Sequence, residues 1–278
     1  MRQPRLMRLA ALALVIVFAA CAPPSLAPDA ADEPCTETAD EVICKPRIAK
    51  VMVNGVGRDV FWREGLGDAP PAGRPVVVVF QGSFFGPPST WNTVKRDLAF
   101  GGFFQAQTQK RLLEHGFTVV APAAVAGVAW QTNATLPWDA TTDKVLVDNL
   151  LTALDDGTFG PVDASRRYAT GISSGGYMTS RMALSYAGQF RALAIHAGSW
   201  ATCIGPACVL PDALPADHPP TLFLHGAKDA TVPLFTVEPY VQKLKDQGTA
   251  TELIVDALVG HQWLSEAPER TVAWFEEH

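Results

Sequence analysis

The stretch YATGISSGGYM, residues 168–178, has an apolar run before its central serine and a helix-like pattern after it. Its residues 171–175 form the pattern Gly-x-Ser-x-Gly, with Ser173 at the centre. A serine on a sharp turn between a strand and a helix stands above the sheet, where its hydroxyl can act as a nucleophile. The pattern alone is weak evidence, because three residues that each make up about 7% of proteins recur by chance in about one chain in ten of this length. Its meaning depends on the flanking sequence.

The chain around this stretch alternates short apolar runs with helical patterns. The run PVVVVFQG (75–82) predicts a buried strand, and alternating apolar and polar residues around Asn54-Gly55 predict an earlier antiparallel hairpin. The β-α-β order predicts an α/β-hydrolase fold, with a mostly parallel central sheet and helices on both faces. Further strands are predicted at 117–124, 166–172, 190–198, 220–226 and 250–260, and helices at 103–116, 141–156, 175–188 and 267–278.

A base and an acid for Ser173 are expected at the carboxyl ends of the strands, where the chemistry of such sheets gathers. The chain order of the fold, serine then acid then histidine, selects His261, which follows the predicted strand 250–260. Asp229 lies on the loop after the preceding strand, and Asp256 is the competing acid, inside a strand only five residues before His261. We therefore predict Ser173 as nucleophile, Asp229 as orienting acid and His261 as general base.

Two backbone N–H groups are needed to stabilise an oxyanion. One is predicted at Ser174, the residue after the nucleophile. The other is expected in the loop QGSFFG (81–86) that follows the valine-rich strand, where Ser83 is the first choice and Gly82 the second.

The N-terminus carries an export signal. Three arginines in MRQPRLMR and the apolar run that follows them predict a signal peptide, too short to span a bilayer. It ends at residue 21 if FAAC (18–21) is a lipobox, with Cys21 lipidated, or at residue 27 if SLA (25–27) is the cleavage site. We expect an extracellular protein, or alternatively an outer-membrane lipoprotein whose one membrane contact is the lipid on Cys21.

The next part of the chain, residues 22–46, is rich in proline, alanine and acidic residues, and we expect it to be flexible. Residues 47–278 are predicted to form a single catalytic domain. The cysteines after Cys21 are even in number, which predicts two disulfides in an oxidising compartment. The count leaves their pairing open, and the local pairs Cys35–Cys44 and Cys203–Cys208 are our hypothesis. Zinc is the alternative, but no histidine lies at ligand spacing beside CIGPAC, so no metal site is expected. The net charge of −6 argues against nucleic acid as a partner.

Three stretches resemble a known family: VDASRRYATGISSGGYMTSRMA (162–183), HGAKDATVP (225–233) and GHQW (260–263). Over about residues 46–278 the sequence is similar to the extracellular medium-chain-length polyhydroxyalkanoate depolymerases, which are α/β-hydrolase polyester esterases related to polyhydroxybutyrate depolymerases and feruloyl esterases. The resemblance implies the same roles for Ser173, Asp229 and His261, and a serine-esterase mechanism through an acyl-enzyme without a cofactor.

The resemblance also implies a water-insoluble substrate. Depolymerases of short-chain polyesters carry a separate substrate-binding domain, and none is expected here because the chain continues only to His278. The catalytic domain would then hold the hydrophobic polyester with its own apolar residues, for which Phe84, Phe85, Trp200 and Trp263 are predicted. The stretches SFFGPPSTW and GGFFQ are the expected exposed patches.

Two other functions remain open at this point. A feruloyl or acetyl esterase acting on plant polysaccharide would use the same triad. A non-catalytic envelope lipoprotein that binds a hydrophobic ligand would explain the lipobox and the apolar loops, but it would leave the ordered triad unexplained.

Overall fold

A computed structural model describes residues 33–132 and 137–278. Its centre is an eight-stranded sheet. The strands are β3 (Arg47–Val53), β4 (Val56–Arg63), β5 (Arg74–Phe80), β7 (Thr118–Pro122), β8 (Val162–Ile172), β9 (Ala192–His196), β10 (Thr221–Gly226) and β11 (Thr251–Asp256). They lie in the order β11-β10-β9-β8-β5-β7-β4-β3. The six strands from β11 to β7 run parallel, and β4 and β3 add an antiparallel hairpin at one edge.

The valines of β5 explain why this strand lies in the middle of the sheet. Successive side chains of a strand point to opposite faces, and Val77 and Val79 pack into one apolar cluster while Val76 and Val78 pack into another. A strand that is buried on both faces needs an unbroken apolar run, as parallel sheets covered by helices generally do.

Helices cover both faces of the sheet, as predicted. Side chains of α2 (Gly102–Glu114) and α6 (Ala267–Glu277) belong to the cluster on one face. Side chains of α3 (Thr142–Asp155), α4 (Ser174–Ser185) and α5 (Glu238–Asp246) belong to the clusters on the other face. The prediction of an α/β-hydrolase fold is confirmed. A short helix, α1 (Pro88–Trp91), precedes α2 in the chain.

The prediction that residues 22–46 are flexible is wrong for the part that the structure describes. The strands β1 (Cys35–Glu37), β2 (Glu41–Cys44) and β6 (Thr93–Lys95) form a small antiparallel sheet. Cys35 lies opposite Cys44 in the register of β1 and β2, and the disulfide joins them. Both sulfurs belong to the same apolar cluster as α2, so residues 33–278 form one compact unit.

The second predicted disulfide, Cys203–Cys208, is also present in the structure. The predicted signal peptide, Cys21 and the start of the segment 22–46 lie outside the described residues. Within residues 33–132 and 137–278, no helix is long and apolar enough to cross a bilayer.

Candidate active site

Ser173 occupies a strained turn between the end of β8 and the start of α4. Its backbone has φ 57° and ψ −119°, a conformation that a residue with a side chain seldom adopts. A Cβ on Gly175 would lie 2.0 Å from the carbonyl oxygen of Phe80, so the strand and the helix can approach this closely only with glycine there. The Ser173 N–H donates to the carbonyl of His196 at 3.0 Å. The glycines that surround the serine in the sequence thus have a steric cause.

Asp229 and His261 form a hydrogen-bonded pair at the neighbouring strand ends. Oδ2 of Asp229 accepts a hydrogen bond from Nδ1 of His261 at 2.7 Å. Its Oδ1 accepts from the backbone N–H groups of Thr231 and Val232, at 2.9 and 2.8 Å. Since the carboxylate holds the proton on Nδ1, the other ring nitrogen, Nε2, is left to accept a proton. The competing acid, Asp256, accepts instead from the N–H of Leu258 at 2.8 Å.

Two other histidines, His196 and His225, are buried at the ends of β9 and β10. Burial lowers the pKa of His225, whose Nε2 donates to the carbonyl of Val232 at 2.7 Å. Burial also lowers the pKa of His196 well below the ordinary histidine value. The ring of His196 stacks on Trp263, with ring centroids 3.5 Å apart. Neither imidazole lines the cavity described next.

Ser173 and His261 line a single cavity of about 250 Å³. Phe100 forms part of its wall, with its ring edge-on to Phe85 at 5.1 Å and to His261 at 6.0 Å between centroids. The remaining lining residues are Gly82, Ser83, Phe84, Ala99, Gly102, Gln105, Ile172 and Thr231. The cavity therefore offers an apolar space beside the serine and the histidine.

The predicted oxyanion donors lie around the serine. Ser174 is in the first turn of α4, where backbone N–H groups have no acceptor inside the helix. Ser83 and Gly82 line the cavity, and within residues 33–132 and 137–278 no backbone carbonyl accepts the N–H of Ser83. Gln81 holds their loop: its amide donates to Gly127 O at 3.1 Å and its Oε1 accepts from Ala124 N at 3.0 Å.

Two of the four predicted substrate-binding residues are placed elsewhere by the structure. Phe84 and Phe85 line the cavity, and the Phe84 side chain is 76% exposed. Trp200 and Trp263 are buried and do not line the cavity, so the prediction that they bind substrate is wrong. Trp200 packs edge-on against Tyr240, and the indole N–H of Trp263 donates to Thr108 at 3.0 Å. Both follow strands in the chain, but they pack into the core.

The exposed patches expected at SFFGPPSTW and GGFFQ are realised only in part. Phe84 and Phe100 are exposed, whereas Trp91 and Phe103 are completely buried.

Solved structures share this fold at low sequence identity. A putative dienelactone hydrolase from Klebsiella pneumoniae is 23% identical, with a TM-score of 0.54, over 84% of this chain and 99% of that one. A thermophilic esterase from Thermogutta terrifontis is 15% identical, with a TM-score of 0.59, over 84% and 90% of the two chains. A Mycobacterium tuberculosis puromycin-hydrolyzing peptidase is 16% identical, with a TM-score of 0.61, over 84% and 40%. These similarities show that the chain has the fold of the α/β hydrolases.

The sequence matches no protein-family model. It is 47% identical over 224 residues, 80% of each chain, to a poly(3-hydroxyoctanoate) depolymerase from Pseudomonas fluorescens. The chain therefore belongs to the family of medium-chain-length polyhydroxyalkanoate depolymerases, and it is a carboxylic ester hydrolase.

Proposed function

We propose that the protein is a secreted serine esterase that hydrolyses the ester bonds of medium-chain-length polyhydroxyalkanoate. The observation that carries the proposal is the position of Ser173 and His261 on one apolar cavity, with His261 held by Asp229 at 2.7 Å. A repeat unit with a long alkyl side chain needs such a space beside the attacked carbonyl. The relative from Pseudomonas fluorescens is named for the octanoate polymer, which has side chains of this kind.

The proposed mechanism follows from the hydrogen bonds. Nε2 of His261 takes the proton of Ser173 as its oxygen attacks the ester carbonyl, and Asp229 stabilises the imidazolium that forms. The N–H groups of Ser174 and Ser83 donate to the oxyanion of the tetrahedral intermediate. His261 then gives its proton to the leaving alcohol, and water hydrolyses the acyl-enzyme by the same steps in reverse.

The distribution of exposed apolar side chains supports contact with an insoluble polyester. Many of them lie on the segments that follow the carboxyl ends of the parallel strands, and two of these, Phe84 and Phe100, line the cavity. The residues on these segments are Phe84, Phe100, Val125, Val128, Ile204, Val209, Phe235 and Leu258. We call this set the apolar rim. An apolar surface around an active site adsorbs to a hydrophobic solid, because adsorption removes the surface from water.

Secretion is part of the proposal. Two disulfides within residues 33–278 fit an oxidising compartment, since the cytosol keeps thiols reduced. An insoluble polymer that lies outside the cell also requires the enzyme to be exported.

The test is a comparison of three substrates: emulsified poly(3-hydroxyoctanoate), emulsified poly(3-hydroxybutyrate) and a feruloyl sugar ester. Clearing of the octanoate emulsion at a rate well above that of the butyrate emulsion is the expected result. Turnover of the feruloyl ester alone would move the function to that of a plant-wall esterase with the same triad.

A further inference from the structure

Gln105 is a polar side chain that the proposed mechanism does not use. It lies on α2 one turn after Gly102, and both residues line the cavity that contains Ser173 and His261. The residue lines the cavity although only 4% of it is exposed, so it meets the cavity and little of the outer surface.

The amide of Gln105 has no hydrogen-bond partner among residues 33–132 and 137–278, unlike two other buried glutamines. Gln81 bonds Gly127 and Ala124, as described above. Gln109, one turn further along α2, donates to the carbonyl of Thr90 at 2.9 Å, although its Oε1 has no partner among the described residues. Buried amides are paired in most proteins because an unpaired one loses its hydrogen bonds to water. An amide that opens into a substrate cavity instead finds its partner in water or in the substrate.

The other lining side chains make this amide distinctive. Most of the wall near it is apolar, with Phe85, Phe100 and Ile172 among its members. Thr231 lies at the exposed mouth of the cavity, and Ser83 is half-buried on the loop of the proposed oxyanion donors. Apart from Ser173 and His261, Gln105 is thus the buried hydrogen-bonding residue that an acyl group in the cavity would meet.

We infer that Gln105 determines specificity for acyl groups that carry an oxygen on C3. The acyl part of each polyester repeat has such an oxygen, two carbons from the carbonyl that Ser173 attacks. The Gln105 amide N–H donates to this oxygen, and the side-chain carbonyl accepts from it where it is a free hydroxyl. A plain fatty-acyl group would displace water from the amide and leave it unpaired, which is how a polar site rejects an analogue that lacks the matching oxygen.

This inference rests on the proposed esterase function and adds the chemical feature of the substrate that the cavity selects. It concerns the acyl side of the scissile bond. It therefore predicts discrimination between two small soluble esters, without any contribution from adsorption to a polymer.

The experiment compares the kcat/KM of ethyl 3-hydroxyoctanoate with that of ethyl octanoate, two esters that differ by one oxygen. Wild-type enzyme is expected to prefer the hydroxy ester, and Gln105→Leu is expected to lower the ratio of the two kcat/KM values about tenfold, the order of one hydrogen bond to a neutral group. Gln109→Leu, which changes a buried glutamine of the same helix outside the cavity, is the matched control and should keep the wild-type ratio. Gln105→Met, which keeps the length of the side chain and loses both the N–H donors and the accepting oxygen, should also lower the ratio, and it serves as the second variant if Gln105→Leu fails to fold.

A wild-type ratio retained in both Gln105 variants, or an equal loss on the two esters, would overturn the role of Gln105 and leave the esterase function in place. A wild-type enzyme that hydrolyses neither ester nor the polymer would overturn the proposed function together with this inference.

Discussion

The imidazole of His196 stacks on the indole of Trp263, with centroids 3.5 Å apart and ring planes 10° from parallel. The carbonyl of His196 accepts the N–H of Ser173, and Trp263 lies two residues after His261. The stack therefore connects the turn that carries the proposed nucleophile with the loop that carries the proposed base. The backbone N–H of Trp263 also donates to the carbonyl of Phe100, a residue of the cavity wall.

Replacement of Trp263 by leucine should lower kcat on a soluble ester about 100-fold, because small displacements of a catalytic group cost about this much. The matched control is Trp91→Leu, since Trp91 is equally buried in the same apolar cluster and lies outside the cavity lining. Both variants should lose roughly 3 kcal/mol of unfolding free energy, and only Trp263→Leu should lose kcat. Equal kcat values for the two variants would contradict the role of the stack.

The two candidate acids can be separated by matched substitutions. Asp229→Asn should lower kcat about 10³- to 10⁴-fold with a small change in KM, because an amide in that place no longer stabilises the imidazolium of His261. Asp256→Asn should leave kcat near wild type, since among residues 33–132 and 137–278 the Asp256 carboxylate accepts a hydrogen bond only from the N–H of Leu258. A larger loss in the Asp256 variant than in the Asp229 variant would reverse the assignment.

The apolar rim can be tested at Phe84, whose side chain is 76% exposed at the cavity mouth. Phe84→Asp should reduce adsorption to polyester particles, measured by depletion of protein from solution, more than it reduces turnover of a soluble ester. Leu66→Asp is the control, because Leu66 is exposed on the segment that precedes β5, outside the rim. Equal losses of adsorption and of soluble-ester turnover in the Phe84 variant would show that the residue acts in the cavity alone.

Acid should destabilise the fold through buried histidines. Burial lowers the pKa of His218 to about 4. Its Nδ1 donates to the carbonyl of Pro219 at 2.9 Å, so Nε2 must accept the 2.6 Å bond from the hydroxyl of Tyr240. Protonation of Nε2 would break that bond. Between the unfolded histidine value of about 6.5 and about pH 4, the unfolded chain holds a proton here that the folded chain lacks, so stability falls as pH falls.

Over that whole interval His218 accounts for roughly 3 kcal/mol of unfolding free energy. Thermal unfolding of His218→Gln should therefore show a smaller decrease in Tm between pH 7 and pH 4.5 than the wild type. His115→Gln is the control, because His115 is half-exposed beside Glu276. The same decrease in Tm for wild type and His218→Gln would contradict the assignment of a neutral buried imidazole.

The sequence predicted the parallel sheet, the serine turn and the acid–base order because each has a local signature. Four consecutive valines indicate a strand buried on both faces, and Asn54-Gly55 supplies the two positive φ values, 49° and 83°, of the β3–β4 turn. Glycines beside Ser173 mark the place where a strand and a helix approach closely.

Features that depend on which side chains are buried in the folded protein were not predictable in this way. Trp200 and Trp263 follow strands as a pocket residue would, and only packing shows that they lie in the core. The residues before position 46 are rich in proline and acidic residues, so their composition did not predict β1 and β2. These strands are stabilised by the disulfide and by contact with α2. No pattern in the sequence indicates a role for Gln105. Its proposed role depends on its place in the cavity and on the lack of a hydrogen-bond partner among the described residues, and both are seen only in the folded protein.

The central claim is that Ser173 is the nucleophile of a polyester hydrolase. The most direct measurement combines labelling by a fluorophosphonate, located by peptide mass spectrometry, with clearing of a poly(3-hydroxyoctanoate) emulsion by wild type and by Ser173→Ala. We predict a single adduct on Ser173 and loss of clearing in the variant. An adduct on another residue, or clearing that persists in Ser173→Ala, would contradict the assignment of the active site.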